Sequence, residues 1–390
     1  MPTNIRVAES TGNVPASRAV RDVSRDIHYL DADAAPYVLM SKRAGRRPVS
    51  AKEFEWIEKQ RPTEVDNVIG AQTNVDTAIE VDTPNAYFVD DLVMNMRTRE
   101  IFRVTVGGTS PITVVRGVGS VAGTAMNDND PLIIIGPSVQ EGNTAGIERS
   151  VQEAFLTNYT QIFEHPFGTT GTEAAVDNYT GKDRPRLQRE FATYHMQAIE
   201  KAFLLGQKNQ DVSAPNNPRR YTGGFDYFIQ LNGLNVVDAG GALSDPTVED
   251  FARRLFENTG GGPTRVFFTA SKVVAILNQL AAGRLQTVPR DEVYGISIKQ
   301  WDSFFGSLFV VQHRLLKSAP DVSAFAGFGE RLFGVDPKKL RYAALRTRDT
   351  KLEENVHNPG YDGWKDLYRT EAGFEIANPE CHGILKTITS

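Results

Sequence analysis

At 390 residues, with 40% hydrophobic and 23% charged residues, the chain has the composition of a folded soluble protein rather than a disordered or fibrous one, long enough for two or three compact units or one elaborated domain. A formal net charge of −5 implies no bulk attraction to nucleic acid, and the single cysteine, Cys381, excludes an intrachain disulfide framework and any cysteine-only metal site. No secretory signal is expected at the start, and the longest apolar-leaning run, residues 266–282, is interrupted by Ser271, Lys272, Asn278 and Gln279, too polar to span a bilayer.

Residues 1–16 carry Pro, Thr, Asn, Ser and Gly without periodicity and read as an extended arm. Val20, Val23, Ile27 and Leu30 then recur at helical spacing, with Arg18, Arg21 and Arg25 on a neighbouring face that Asp22 and Asp26 can neutralise. Pro36 is expected to end this element, and residues 42–48 read as a basic hinge. Phe54 and Trp56 sit in a short strand or turn with two aromatics to bury. Residues 61–84 alternate polar and small residues without a strong core face and are expected to project. From Tyr87 the pattern changes to strands over 87–96, 100–106, 111–116 and 131–139, punctuated by Gly107, Gly108, Gly117, Gly119 and Gly136; this spacing predicts a small barrel or sandwich.

Residues 183–208 hold the one long unbroken helical signal, with Asp183 as N-cap, Pro185 in the first turn and Gly206 at the far end. Leu187, Phe191, Tyr194, Ala198, Ala202 and Leu205 form one apolar stripe, and Ala192, Met196, Ile199 and Phe203 a second. Arg189, Glu190, Thr193, Gln197, Glu200 and Lys201 are left as a polar strip. A helix with two apolar stripes packs on two sides. After a loop at 211–220, Asp245 caps a helix running to about residue 258, a strand follows at 265–268, and a second helix at 271–281. Paired strands around Gly306 (301–314) and strands at 340–345, 367–376 and 383–388 complete the chain.

The search for chemistry returns little. Gly117-Val118-Gly119-Ser120-Val121-Ala122 matches a dinucleotide-binding fingerprint after a strand, but residues 124–131 supply no helix N-terminus to receive a pyrophosphate, so a glycine-rich turn is the better account. The six histidines, His28, His165, His195, His313, His357 and His382, are scattered without metal spacing. Cys381 and His382 are adjacent and would point to opposite faces of a strand, which favours a buried structural cysteine over a nucleophile pair. Glu353 and Glu354 read as a solvated pair, with nothing apolar or basic nearby to split their pKa values. Arg341, Arg346, Arg348 and Lys351 are interspersed with acids. No catalytic, cofactor-binding or metal residue is assigned.

One resemblance emerges from several segments together. They are the run RDVSRDIHYLDADAAP ending at Pro36, Phe54-Glu55-Trp56, the strands of VTVGGTSPITVVRG, Asn158 to Phe163, the long helix ending IEKAFLLG, Trp301 to Gly306, Asn378-Pro379 and Cys381-His382-Gly383. Together they resemble the major capsid proteins of tailed bacteriophages, in particular a subgroup with the Hong Kong 97 fold. The resemblance implies an α+β subunit. Its parts would be an N-terminal arm (1–48), an extended loop with a β-barrel-like insertion (49–150), a peripheral domain with spine helix 183–208 (151–220), an axial domain (221–340) and strands returning to both (341–390). It implies no enzyme activity and no cofactor. Copies of the chain would assemble as hexamers and pentamers into an icosahedral virion shell, made in the bacterial cytoplasm. The partners would be portal and scaffolding proteins, a decoration protein and packaged double-stranded DNA held by non-specific proximity, with no membrane. Unlike some members, the sequence shows no long scaffolding domain before the arm, and no cross-linking lysine–asparagine pair is assigned. A tail or baseplate protein is the runner-up, against which the long two-faced helix argues; an α/β enzyme using residues 221–314 is the third reading.

Overall fold

The structure, a computed structural model, describes residues 35–59, 63–142, 153–176, 183–213, 216–232, 235–257, 260–280, 299–303, 305–317, 325–326 and 328–389. The expected arm at 1–16 and the amphipathic helix at 17–30, with its three arginines, lie outside the described residues.

In chain order the elements are α1 (Pro36–Ala44), β1 (Arg46–Val49), β2 (Glu53–Glu58), β3 (Val65–Asn67), β4 (Ala78–Ile79), β5 (Asp91–Asn95), β6 (Ile101–Val106), β7 (Ile112–Val115), β8 (Pro131–Pro137), β9 (Ala154–Tyr159), β10 (Gln161–Thr170), α2 (Gly171–Ala175) and α3 (Asp183–Leu205). They continue with β11 (Asn209–Asp211), β12 (Arg219–Tyr221), α4 (Phe225–Asn232), β13 (Val236–Gly241), α5 (Asp245–Glu257), β14 (Thr264–Thr269), α6 (Ser271–Leu280), β15 (Lys299–Ser303), β16 (Gly306–Gln312), β17 (Leu316–Lys317) and β18 (Phe325–Ala326). The last five strands are β19 (Leu332–Val335), β20 (Leu340–Leu345), β21 (Lys351–Glu353), β22 (Gly363–Ile376) and β23 (Gly383–Ile388). The chain divides into two compact units, one of Met1–Trp56 with Leu156–Ser390 and one of Ile57–Phe155.

The first unit is built on two sheets. Sheet 1 runs β1-β20-β22-β10, with β21 also on β22, and sheet 2 runs β13-β23-β19-β14-β16-β15. β14 is buried on both faces, which its uninterrupted run Val266-Phe267-Phe268 anticipates. Phe267 meets Phe251 of α5, ring centroids 5.8 Å apart, in a core that α5 and α6 share. Its neighbour Phe268 points the other way, onto Tyr37 of α1 at 5.5 Å, in the larger core that also holds α3 and α4. Strand alternation thus makes one strand serve two cores.

α3 is the 23-residue helix that the sequence marks, about 34 Å long at 1.5 Å per residue. It lies on β10 and β22: Phe191 stacks on Phe167 at 4.9 Å, and Phe203 sits between Phe374 and Tyr342 at 5.1 and 5.7 Å. The second predicted stripe is the buried one; Ile199 and Phe203 are fully buried, whereas Tyr194 of the first stripe is 43% exposed. Gln197 and Glu200, expected on the polar strip, are buried. Gly206 ends the helix by close approach: a Cβ there would lie 2.4 Å from the Ala202 carbonyl and 2.5 Å from that of Thr222.

One expectation near the start is overturned and one falls partly outside the described residues. Pro36 opens α1, because a proline in the first turn loses no hydrogen bond, and the element it was expected to end is not among the described residues. The expected hinge at 42–48 is the end of α1 and then β1, which pairs in parallel with β20. Phe54 and Trp56 are buried as expected, the latter edge-on to Phe228 at 5.6 Å.

The second unit is a barrel, one of the two forms expected. Its sheet runs β3-β8-β5-β6-β7-β4, and an antiparallel bridge between Val68 and Val81 joins the two ends, supported by the Ile69 N–H on the Glu80 carbonyl at 2.9 Å. Closure removes exposed strand edges. Residues 61–84 therefore do not project without a core: Val68, Ile79 and Val81 are buried with Phe102, Val104 and Leu132. Their bulky β-branched side chains are spaced too irregularly to read as strands, and the barrel supplies the pairing that their own pattern lacks.

Asp130 pins the barrel's β5–β6 turn, accepting from Arg97 Nε and Nη2, both at 2.7 Å, from Asn95 Nδ2 at 3.0 Å and from the Asn127 N–H at 2.9 Å. Arg97, more than the other donors, holds its carboxyl down at about 2 against an ordinary 3.8. A carboxylate with a depressed folded pKa stabilises fully above its unfolded value and loses that stabilisation as pH falls through the folded one. Asp130→Asn is expected to lower barrel stability at neutral pH and to flatten the acid limb between pH 3.8 and about 2, read by circular dichroism during acid titration. In the first unit, Phe203→Ala is expected to cost about 3–5 kcal/mol in denaturant unfolding, and the half-buried Phe191→Ala distinctly less.

Candidate functional site: the anchored long helix

Several residues that the sequence offered for chemistry sit in structural roles. Gly117, at φ 60°, wraps around the buried Glu100 carboxylate, which accepts from the Gly117 and Thr124 N–H groups at 3.2 and 2.8 Å and from Arg116 Nε and Nη2 at 2.7 Å. Burial alone would raise the Glu100 pKa, and Arg116 with the two N–H groups more than reverses it. The glycine-rich turn thus closes on a carboxylate of the chain itself. Glu353 pairs with Arg369 at 2.9 Å, and Glu354 lies 3.7 Å from Arg184, so the expectation of no basic neighbour fails. Arg369 reaches from the neighbouring strand β22 and Arg184 from the start of α3, which local sequence does not reveal. Arg341 and Arg348 pair with Glu375 and Glu371.

Cys381 is buried in a 3₁₀ turn before β23 rather than within a strand, and burial pushes its thiol pKa up. His28 lies outside the described residues. Among the described residues, no group of three or more His, Cys, Asp or Glu is placed to hold a metal ion.

What the fold does bring together is a set of buried charges fastening α3 and sheet 2. Ala35 offers α1 no side-chain cap; instead Glu200, from the C-terminal third of α3, accepts the Tyr37 and Val38 N–H groups at 2.8 and 2.7 Å. His313, just past β16, places its Nε2 2.7 Å from the same carboxylate. Glu200 and His313 are both fully buried. The negative charge sits where the unpaired N–H groups and the dipole of α1 favour it. Burial, helped by Glu200, pushes the Tyr37 phenol well above its ordinary pKa, so it stays neutral.

The start of α3 is held in the same way. Arg184 makes a two-pronged contact with the buried Asp366 of β22, at 2.9 and 2.8 Å, joined by the Asn355 N–H at 3.0 Å and the Gln188 amide at 3.2 Å. Burial would raise the Asp366 carboxyl, and these donors, Arg184 first, bring it below its ordinary value.

In sheet 2, Arg265 and Asp336 are fully buried partners at 3.0 Å, and Arg265 also donates to the Leu255 carbonyl at the end of α5, at 2.7 Å. The Asp336 N–H donates to His382 Nδ1 at 3.1 Å, and burial lowers this ring to a pKa of about 4, keeping it neutral.

Sequence reading left Glu200 on the polar strip. Its distance of four residues from Met196 and three from Phe203 puts it at the edge of the buried stripe, and that was the available signal.

These groups lock elements together; none is arranged around a substrate. The sequence matches the family described as SU10 major capsid protein over residues 3–389. The chain belongs to that family. It is 23% identical over 375 residues to the major capsid protein of Pseudomonas phage PaMx41, covering 89% of this chain and 87% of the relative. Its fold resembles the capsid of cyanophage A-1(L), with a TM-score of 0.55 at 9% identity over 98% of this chain and 100% of the other. Gordonia phage Cozz gives 0.53 at 11% identity over 95% and 91%, and the native GTA particle capsid 0.52 at 12% over 98% and 99%. The fold is the Hong Kong 97-like capsid fold, α+β as expected. The SU10-family chain is a phage major capsid protein, a structural component of the virion head and not an enzyme. The tail, baseplate and α/β-enzyme readings fall with that membership.

Glu200→Ala is expected to cost about 3–5 kcal/mol, because it leaves two helix N–H groups and His313 without their buried acceptor. Denaturant unfolding of the purified subunit measures this. A loss under about 1 kcal/mol would show that water replaces the carboxylate at no net cost.

Proposed function

We propose that this chain assembles as hexamers and pentamers into a closed icosahedral shell around double-stranded DNA, with scaffolding and portal proteins as partners and a decoration protein as an optional one. The observation that carries the reading is the family match along almost the whole chain, residues 3–389. In this reading sheet 1 with α3 is the peripheral domain, with α3 as its spine, and sheet 2 with α5 and α6 is the axial domain. The second unit is the elaborated extended loop. Two separately paired sheets support this division, as do the buried carboxylates fastening α3, which suit a strut that transmits load between neighbours. Residues 1–48 form the arm in this scheme, except that Arg46–Val49 is already a strand of sheet 1.

The barrel's outer face suggests where copies meet. Val65, Ile133, Met94 and Ile101 are register partners across four adjacent strands, and none is buried. An apolar row on the outside of a filled barrel is a contact surface. Met94→Glu is expected to leave the subunit folded and to abolish shells in negative-stain micrographs, with sedimentation reporting small species only. Normal shells from this variant would move the contact elsewhere. A wild-type protein that remains monomeric under every assembly condition would count against the shell itself.

A further inference from the structure

A line of hydrogen bonds crosses the seam between α3 and sheet 1, and its direction can be read from one end. Asp349 accepts from the Tyr342 hydroxyl and the Thr350 N–H at 2.9 and 2.8 Å, and from the Thr350 hydroxyl at 3.4 Å. A carboxylate cannot donate, so the Thr350 proton points to Asp349. The Thr350 oxygen then accepts from Lys42 Nζ at 3.5 Å and from the Thr370 hydroxyl at 3.0 Å. With its proton spent, Thr370 can only accept from His195 Nε2, 2.7 Å away. His195 is therefore protonated on Nε2 and bare on Nδ1, and it must accept at Nδ1 from His165 Nδ1 at 2.9 Å. The two rings are opposite tautomers, and His165 Nε2 is the place left for an incoming proton.

We propose that this histidine pair is the acid-sensitive joint of the subunit: it holds α3 against β10 and β22 while both rings are neutral, and it opens when both are protonated. One proton on His165 Nε2 leaves the line intact. A second would fall on His195 Nδ1 and set two N–H groups facing each other at 2.9 Å, with no acceptor between them. The surrounding charges do not relieve this. Lys42 of α1 and Lys201 of α3 both act on the pair as cations, Tyr368 of β22 stands beside His195 as a neutral phenol with its pKa raised, and the carboxylate that ends the line, Asp349, is separated from the rings by two threonines. The β10 carboxylate next to His165, Glu164, is engaged by Arg369 at 2.6 Å.

Burial, then His165 and Lys42, lower the His195 ring to about 4, and burial with Lys201 lowers His165. The sign follows from the unfolded chain, whose rings bind protons at 6.5. Below that pH the unfolded state takes up more protons, so this part of the stability is complete above 6.5 and declines as pH falls toward about 4.

Two measurements on the full chain test the joint. In the first, ¹⁵N-labelled histidines at neutral pH are expected to show His165 with its proton on Nδ1 and His195 with its proton on Nε2, the two assigned by single substitutions. The same tautomer for both rings, or a His195 that titrates near 6.5, would overturn the proposal. In the second, His165→Gln with His195→Gln removes both titrating groups. The proton uptake that accompanies unfolding between pH 6.5 and 4 is expected to fall by up to one proton per ring, and amides of α3 and β10 that exchange faster in acid in the wild type are expected to lose that pH dependence. An unchanged uptake, or acid-enhanced exchange that persists in the variant, would place the acid sensitivity elsewhere. If the variant does not fold, the tautomer measurement on the wild type still decides.

Discussion

A single buried carboxylate organises the first unit. Glu200 projects from the C-terminal third of α3 into the larger core, where an isolated charge would be strongly disfavoured. The start of α1 and the His313 ring meet it there, so three segments far apart in sequence converge on two oxygen atoms. Removing Glu200 would leave both N–H groups and the ring without this acceptor in a low-dielectric interior. This interdependence gives such a cluster its specificity: other packings of α3 on the sheet would bury the charge without partners. It also explains why α1 starts at Pro36 with no side-chain cap of its own.

The rest of the unit repeats the principle with different chemistry. Arg184 and Asp366 secure the beginning of α3, and Arg265 and Asp336 secure the end of α5 to sheet 2. Between these points the packing is aromatic, with Phe203, Phe374 and Tyr342 in one layer and Phe268, Tyr37 and Phe225 in the next. β14 couples the two cores because its alternate side chains enter both. The barrel is secured separately, by closing on itself.

Much of this was legible without coordinates, and the reason lies in periodicity. α3, α5, α6 and the strands β5 to β8 carry apolar residues at the spacing of their own secondary structure, so local pattern and burial coincide. Legibility failed where burial came from elsewhere. Residues 61–84 gave no strand signal because Val68, Ile79 and Val81 are single apolar residues whose partners lie on other barrel strands. His165 and His195, 30 residues apart, carried no sign of contact. Glu353 and Glu354 looked solvated because the arginines that reach them arrive from β22 and from the start of α3, far along the chain.

By itself the sequence determined most element types, a small closed or sandwiched β unit, the approximate length of α3 and the absence of a recognisable catalytic motif, since all of these follow from short-range spacing and composition. It also carried enough segments in order to place the chain among phage capsid proteins. Only the tertiary structure decided which side of α3 faces inward, that Glu200 is an anchor rather than a solvated residue, and which tautomers the histidine pair adopts. Those outcomes depend on pairings between residues tens to hundreds of positions apart, and hydrophobic periodicity, which records whether a residue is buried, holds no information about which group will be there to meet it.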